Sequence, residues 1–348
     1  MNTPTIEEQI RQKALELGIE RCGIIRAEAM LDYADRLRER MARIPNGEAI
    51  YGGFLQFADV RQNYPWAQSI IVAVLHYGHY RIPANAQGGR YGKHYLVDLR
   101  RNPDSPEHQK IDALNTYFGE LGLRTATNEH PGITAMRWAA YKAGLGIIRR
   151  NNFFYTDKGS WVTIAAWAAD REMELVGSHT LPECPPDCDR CIKACPSKSL
   201  SAPYTMNMAT CVSNYTTSNA PVIYDDERGR QVGCRIYGCD VCQDVCPMNK
   251  NKWREDDDFP GLMELGEFLS PEQLLTMSYD EIAERLSPKF FYIQKESLWR
   301  WKVNAINALA SGHKARHSDT ADIALIKNAL DDEQEFVRAM ARRALEKL

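Results

Sequence analysis

Eight of the ten cysteines in this 348-residue chain follow an order that is typical of iron–sulfur ligation. The pattern consists of one run, a single cysteine and a second run: Cys184-x3-Cys188-x2-Cys191-x3-Cys195-Pro196, then Cys211, then Cys239-x2-Cys242-x3-Cys246-Pro247. Four thiolates hold one [4Fe–4S] cluster, and close spacing lets one turn of chain present three sulfurs to it. The pattern therefore predicts two [4Fe–4S] clusters.

The two runs are expected to exchange ligands. In bacterial two-cluster arrangements, the cysteine that precedes the proline of one run ligates the cluster of the other run. This rule divides the ligands into two sets of four: Cys184, Cys188, Cys191 and Cys246 for the first cluster, and Cys195, Cys211, Cys239 and Cys242 for the second.

Three other chemistries use cysteines at similar spacings. Disulfide frameworks crowd into small secreted domains, whereas this chain is long and its first residues show no basic-then-apolar leader. Paired C-x2-C knuckles suit zinc, but two C-x3-C-P endings fit clusters better. The first run alone has the spacing of radical S-adenosylmethionine enzymes, which place it ahead of a β/α barrel. Only about 150 residues follow it here.

The composition is that of an ordinary globular protein, with 44% hydrophobic and 26% charged residues. A net charge of −3 argues against a chain that coats nucleic acid through bulk positive charge. No apolar run reaches the length that a bilayer requires. We expect a cytoplasmic protein with no membrane partner.

Three apolar runs predict strands in an N-terminal α/β (α+β) domain. This domain is expected to hold the cysteine segment in position. The runs are Arg21–Arg26, Ser69–Leu75 and Trp161–Trp167. Helical patterns cover about residues 107–121 and 133–143, so helices are expected to pack on a sheet. Cys22 lies inside the first predicted strand and is expected to be a core residue, not a ligand.

Two loops of this domain carry side chains that suit ligand binding. Arg90, Tyr91 and Lys93 follow two glycines, so the backbone can approach a ligand closely while the side chains donate hydrogen bonds. A solvated loop is the alternative interpretation. Arg150 and Asn151 follow a Gly-Leu-Gly segment, where they either bind a phosphate or form a basic loop after a helix stop.

Residues from about 256 onward are predicted to be helical. The last segment reads Asp332-x4-Val337-Arg338-x2-Ala341-x2-Ala344-Leu345, the spacing of a HEAT-type repeat helix in which small residues let paired helices stack. Predicted helices at 297–311 and 320–330 complete a short stack. Such a stack either binds a large partner or covers the core.

The second cysteine run carries a specific family resemblance. Residues 235–249 read RIYGCDVCQDVCPMN, which resembles the signature of epoxyqueuosine reductases, relatives of the corrinoid-dependent reductive dehalogenases. The resemblance continues at 211–216, 143–146 and 159–161 and covers most of the chain. It implies a corrinoid-binding α/β domain (1–175), a ferredoxin-like double [4Fe–4S] domain (176–255) and a HEAT-like helical domain (256–348).

The resemblance also implies an activity. Members of the family reductively remove the epoxide oxygen from a modified wobble base of transfer RNA, with cobalamin reduced by the adjacent cluster. A transfer RNA or a small molecule is the expected substrate, and reduced ferredoxin or flavodoxin the expected electron donor. The candidate cobalamin contacts come from the two loops and from the motif at 211–216: Arg90, Tyr91, Lys93, Arg150, Asn151, Ser213 and Tyr215.

Three departures from the family pattern stand out. The family's first run is usually C-x2-C-x2-C, whereas Cys184-Pro-Pro-Asp-Cys188 has an extra residue. The family's Gly-Lys-Asn is replaced by Arg149-Arg150-Asn151. The family's Asp-Thr-Gly-Pro, whose Asp is assigned as the proton donor, is replaced by His130-Pro-Gly-Ile.

We predict that His130, with the adjacent Glu129, supplies the proton in place of the missing Asp. An unperturbed histidine has a pKa of about 6.5, and general acid catalysis typically contributes about 10²–10⁴-fold. The alternatives are a solvent-facing loop histidine and a substrate whose leaving group needs no proton.

For the whole chain, the alternative function is a ferredoxin-type electron-transfer protein that reduces a partner or its corrinoid. A cofactor-sized pocket near the Cys195 cluster, enclosed by Arg90, Lys93, Tyr215 and the loop of His130, would favour the enzyme.

Overall fold

The computed structural model describes residues 4–128, 132–313 and 320–348. The strands are β1 (Arg21–Arg26), β2 (Ser69–His76), β3 (Thr125–Ala126), β4 (Ile147–Ile148), β5 (Phe154–Tyr155), β6 (Val162–Ala169), β7 (Leu200–Ala202) and β8 (Thr205–Met206). The α-helices are α1 (Ile6–Glu16), α2 (Tyr33–Ala42), α3 (Gly47–Tyr51), α4 (Lys93–Leu96), α5 (Pro106–Glu120), α6 (Met136–Lys142), α7 (Arg190–Ala194), α8 (Val212–Thr217), α9 (Asp226–Val232), α10 (Val241–Asp244), α11 (Leu262–Gly266), α12 (Pro271–Thr276), α13 (Tyr279–Arg285), α14 (Trp299–His313), α15 (Thr320–Asn328) and α16 (Glu335–Leu345). Among the described residues, none of these helices has the length and apolarity needed to cross a bilayer.

The strands β1, β2, β6 and β3 form one sheet in that order, and each neighbouring pair is antiparallel. The central strand β2 is an apolar run because both of its faces are covered. Ile70 and Val72 point into one core and Ile71 and Ala73 into the other. The three predicted strands are confirmed, and the antiparallel order makes this part of the chain α+β.

Helices cover both faces of the sheet, as the helical patterns predicted. Ala139 and Ala140 of α6 pack on one face, while Leu114 and Phe118 of α5 pack on the other beside α1. α1 begins at a capping box, in which Thr5 and the Glu three positions later satisfy each other's backbone N–H groups. Cys22 is buried in the second of these cores, which confirms its predicted place.

The C-terminal helices pack against the cysteine segment around α14. Trp301 stacks on Tyr237 with ring centroids 5.2 Å apart. The buried amide of Asn304 donates to the carbonyls of Thr216 and Ile236 at 2.9 and 2.7 Å. These contacts fix the helices on the cysteine segment. The HEAT-like character of the stack and the three domain boundaries stay predictions.

Candidate iron–sulfur and cofactor site

All eight motif cysteines are free thiols, and seven of them lie near enough to influence, or be influenced by, the pKa of another. Among the described residues, no three ligating side chains are drawn together closely enough to hold a metal ion. Burial raises the pKa of Cys191, and the neighbouring Cys246 and Cys184 raise it further. Burial also raises the pKa of Cys242, with further contributions from its neighbours Cys239, Cys211 and Cys195. In each case the cysteines that contribute fall within one of the two predicted sets. Two sets of soft thiolate donors suit two iron–sulfur clusters.

Two short helices and two prolines position these thiols. α7 carries Cys191, α10 carries Cys242, and the two helices contact each other. Cys195 and Cys246 end the two runs in extended backbone conformation, as residues that precede proline usually do. The chain therefore turns away from its own run at the point where the sulfur is predicted to reach the other cluster.

A buried polar network joins the second run to the α+β domain. Asn151 donates to the carbonyl of Cys242 at 2.9 Å. Ser160 donates to the side chain of Gln243 at 2.8 Å, and Asn249 donates to both Ser160 and the carbonyl of Gln243. All four polar side chains of the network are buried. Paired polar groups of this kind fix one geometry, because breaking any of them leaves a buried group unsatisfied.

The loop that was predicted to cradle a ligand lies against the cysteine segment. The carbonyl of Arg90 accepts from the N–H of Ile236 at 2.7 Å. Tyr91 is buried, and its hydroxyl donates to the carbonyl of Leu269 at 2.8 Å. The ammonium of Lys93 pairs with Asp244 at 2.6 Å. The contacts that the structure shows for this loop therefore hold the second run in place.

The other candidate cobalamin contacts have similar partners. Arg150 donates to carbonyls of the first run, and Asn151 belongs to the buried network. Ser213 shares a hydrogen bond with Tyr95 at 2.9 Å, and the guanidinium of Arg228 lies over the ring of Tyr215. Cobalamin contact by the seven candidate residues stays a prediction.

A separate cavity of about 660 Å³ lies between the helices α2, α3 and α6 and the cysteine segment. The seven candidate residues are not among those that line it. Its walls are rich in arginine and aromatic side chains. The lining includes Tyr33, Arg36, Glu39, Arg40, Arg43, Tyr51, Phe54, Phe57, Thr134, Arg137, Trp138, Tyr141, Asn152, Glu183, Tyr204, Met206 and Met208.

The cavity has a positive lining and unused hydrogen-bond donors. Four arginines line it against the two acidic side chains of Glu39 and Glu183. Arg40 donates to the side-chain oxygen of Asn152 at 3.1 Å, and Arg137 donates to the carbonyl of Asn152. Among the described residues, the Nε of Arg40 and the Nδ2 of Asn152 are buried without a partner. Buried donors of this kind fit a ligand that supplies acceptor oxygens, such as the amides and phosphate of a corrinoid.

Residues of the cysteine segment form one wall of this cavity, although none of its described lining residues is a cysteine. The hydroxyl of Tyr51 donates to the carbonyl of Met206 at 2.7 Å. Burial raises the pKa of Tyr51, and Cys211 contributes to that rise. Burial also raises the pKa of Tyr204, and Cys184 raises it further. The cavity therefore borders residues 204–208, which lie between Cys195 and Cys211 in the sequence.

The predicted proton donors His130 and Glu129 lie outside the described residues. In the sequence they come shortly before Thr134, which lines the cavity and donates to the carbonyl of Phe57 at 3.1 Å. Their catalytic role stays a prediction.

Sequence reasoning missed the walls that α2 and α3 contribute. The available signal was the spacing of Tyr33, Arg36, Arg40 and Arg43, which places one aromatic ring and three cations along one face of a helix. Such a stripe usually indicates a solvated face, so the pattern alone did not predict a cavity.

Comparison of the chain with known proteins identifies its family. A protein-family model described as the 4Fe-4S double cluster binding domain matches residues 184–249. An epoxyqueuosine reductase from Cellulophaga algicola is 31% identical over 69% of this chain and 78% of its own length. One from Staphylococcus aureus is 27% identical over 99% of this chain and 89% of its own.

Solved structures share the fold. A selenomethionine-labelled epoxyqueuosine reductase matches with a TM-score of 0.76 at 24% identity, over 98% of this chain and 90% of the other. An epoxyqueuosine reductase with a tRNA-Tyr epoxyqueuosine-modified stem loop matches with a TM-score of 0.75 over the same shares. The double-cluster segment and the curated relatives define an iron–sulfur oxidoreductase. The chain belongs to the epoxyqueuosine reductase family.

Proposed function

We propose that this protein is a corrinoid-dependent iron–sulfur reductase that cleaves a carbon–oxygen bond, with epoxyqueuosine in transfer RNA as its first candidate substrate. The observation that carries the proposal is the arginine-rich cavity of about 660 Å³, whose wall includes residues 204–208 of the cysteine segment. A simple electron carrier has no use for such a cavity. A small molecule with a reducible carbon–heteroatom bond remains the second candidate substrate.

The residues of the cavity have distinct roles in this proposal. A corrinoid, when bound, supplies a strong reductant close to the substrate. Arg40 and Asn152 hold its acceptor groups through their unpartnered donors. The aromatic wall around Tyr51 and Trp138 excludes water, which strengthens electrostatic interactions inside the cavity. His130, with Glu129, supplies a proton to the leaving oxygen.

Three further parts of the proposal concern the rest of the chain. Electrons enter from reduced ferredoxin or flavodoxin in the cytoplasm. The chain divides into domains at about residues 175 and 255. The C-terminal helices form a HEAT-like stack that contacts a macromolecular substrate.

The test begins with anaerobic purification and cluster reconstitution, followed by iron, sulfide and cobalt analysis before and after addition of cobalamin. We expect about eight irons and stoichiometric cobalt, then reduction of an epoxyqueuosine-containing RNA stem loop. Arg40→Gln should weaken cobalamin uptake. Arg38→Gln is the matched control, because Arg38 lies on the same helix but is exposed and pairs with Asp35. Eight irons without cobalamin uptake would favour the electron-transfer protein instead.

The same assay tests the proton donor. His130→Ala should leave iron and cobalt content unchanged and slow turnover by about 10²-fold or more, as expected for loss of a general acid. Unchanged turnover would remove His130 from the mechanism.

A further inference from the structure

Arg149 is a buried cation, and among the described residues it forms no ion pair with a carboxylate. Its side chain is buried, with the residue only 3% exposed. Its Nη2 donates to the carbonyl of Pro182 at 2.9 Å, and its Nη1 lies 3.7 Å from the Sγ of Cys184. Burying a charge without a partner is costly, so a negative group is needed close by.

The sulfur of Cys184 provides that charge when it ligates a metal centre. A ligand cysteine is deprotonated, and four thiolates give a [4Fe–4S] cluster a net negative charge. Reduction adds one electron and one more negative charge. A fixed cation beside a ligand sulfur therefore stabilises the reduced cluster more than the oxidised one.

Two departures from the family pattern meet at this point of the structure. Arg149 and Arg150 stand where the family has Gly-Lys, and both contact the loop that carries the extra residue. Arg150 donates to the carbonyls of Cys188 and Pro186, both at 2.7 Å. The two arginines therefore hold the widened loop together, but in the described contacts only Arg149 approaches a sulfur.

We propose that Arg149 is a positioning residue that raises the midpoint potential of the first cluster above the value it would have without this cation. The inference rests on the proposed cluster assignment. Each reduction transfers one electron from a small soluble reductant to the cluster and requires no proton, because the guanidinium keeps its charge throughout.

The test is a redox titration of the reconstituted full chain with dithionite, followed by electron paramagnetic resonance. In Arg149→Gln the midpoint of one cluster should fall, so that its reduced-to-oxidised ratio at a fixed potential drops about tenfold. The other cluster should be unchanged. Arg149→Lys, which keeps the charge, should retain most of the wild-type midpoint. Arg38→Gln is the control and should move neither midpoint, because it removes an exposed arginine that pairs with Asp35.

Arg149→Lys and Arg149→Gln form a matched pair, because both remove the guanidinium and only Lys keeps the positive charge. Iron and sulfide analysis of each variant shows whether both clusters are present, so that a difference between the two midpoints reports the charge and not the folding. Equal midpoints in Arg149→Gln and Arg149→Lys, or an equal shift in Arg38→Gln, would overturn the inference while leaving the proposed function intact. A wild-type chain that takes up no iron would overturn both.

Discussion

Lys289 is partly buried, with its ammonium 4.3 Å from the centroid of the Phe259 ring. Burial lowers its pKa to about 8, and the nearby Asp98 offsets only part of this effect. The charged form is therefore less favourable in the folded protein than in the unfolded chain, where the pKa is about 10.4. Below pH 8 the protein carries this cost in full.

Lys289→Met should therefore stabilise the protein at pH 7, on the order of 1 kcal/mol after allowing for the lost cation–π contact. Between about pH 8 and 10.4 the unfolded chain binds more protons at this site than the folded protein does, so wild-type stability rises with pH. The advantage of the variant should shrink over the same range. Denaturant unfolding of the wild type and the variant at pH 7 and pH 9.5 measures this difference in stability. Lys295→Met, at an exposed site, should change little, and an equal gain at both pH values would contradict the explanation.

At the scale of single elements, the turn after α6 depends on a close backbone approach. Gly144 has a φ of +69° and follows the last residues of the helix. A Cβ built there would lie 2.1 Å from the carbonyl oxygen of Gly177. The Gly-Leu-Gly segment that marks the family resemblance therefore has a structural role in bringing α6 against the segment around Gly177.

Gly144→Ala should cost about 2 kcal/mol or more, because it combines backbone strain with a clash that neither backbone can easily avoid. Gly119→Ala is the matched comparison. Gly119 lies near the end of α5, where an added Cβ meets no atom within 4 Å, so alanine there should gain up to about 1 kcal/mol. Thermal unfolding of the two variants tests the pair, and similar losses in both would contradict it.

The same elements show what the sequence could predict. β2 was predictable because a strand buried on both faces becomes an uninterrupted apolar run, and the capping box of α1 is entirely local. The role of Arg90 was not predictable, because its carbonyl bonds to Ile236, which lies far along the chain. The stripe of arginines on α2 became a cavity wall only through packing against α6 and the cysteine segment.

At the scale of the whole molecule, the cysteine segment is bonded on both sides. Asn151 and the bond from Asn249 to Ser160 tie it to the α+β domain, and Asn304 ties it to the C-terminal helices. Metal binding to such a segment contributes to the stability of the fold, because the unfolded chain offers no preformed site. The division of ligands between the two clusters therefore affects the whole structure.

In the interleaved assignment, the last cysteine of each run ligates the cluster of the other run. This assignment makes a prediction that differs from one in which each run holds its own cluster. Cys246→Ser and Cys188→Ser should disturb the same cluster and leave the same residual spectrum, although the two residues belong to different runs. Cys211→Ser should instead disturb the second cluster and leave the spectrum of the first. Cys234→Ser is the control, because Cys234 lies outside the two sets and its nearest described partner is the carbonyl of Gly88. Iron content and electron paramagnetic resonance of the reduced proteins provide the measurement. If Cys246→Ser instead matched Cys211→Ser, each run would hold its own cluster, and the proline turns after Cys195 and Cys246 would need another explanation.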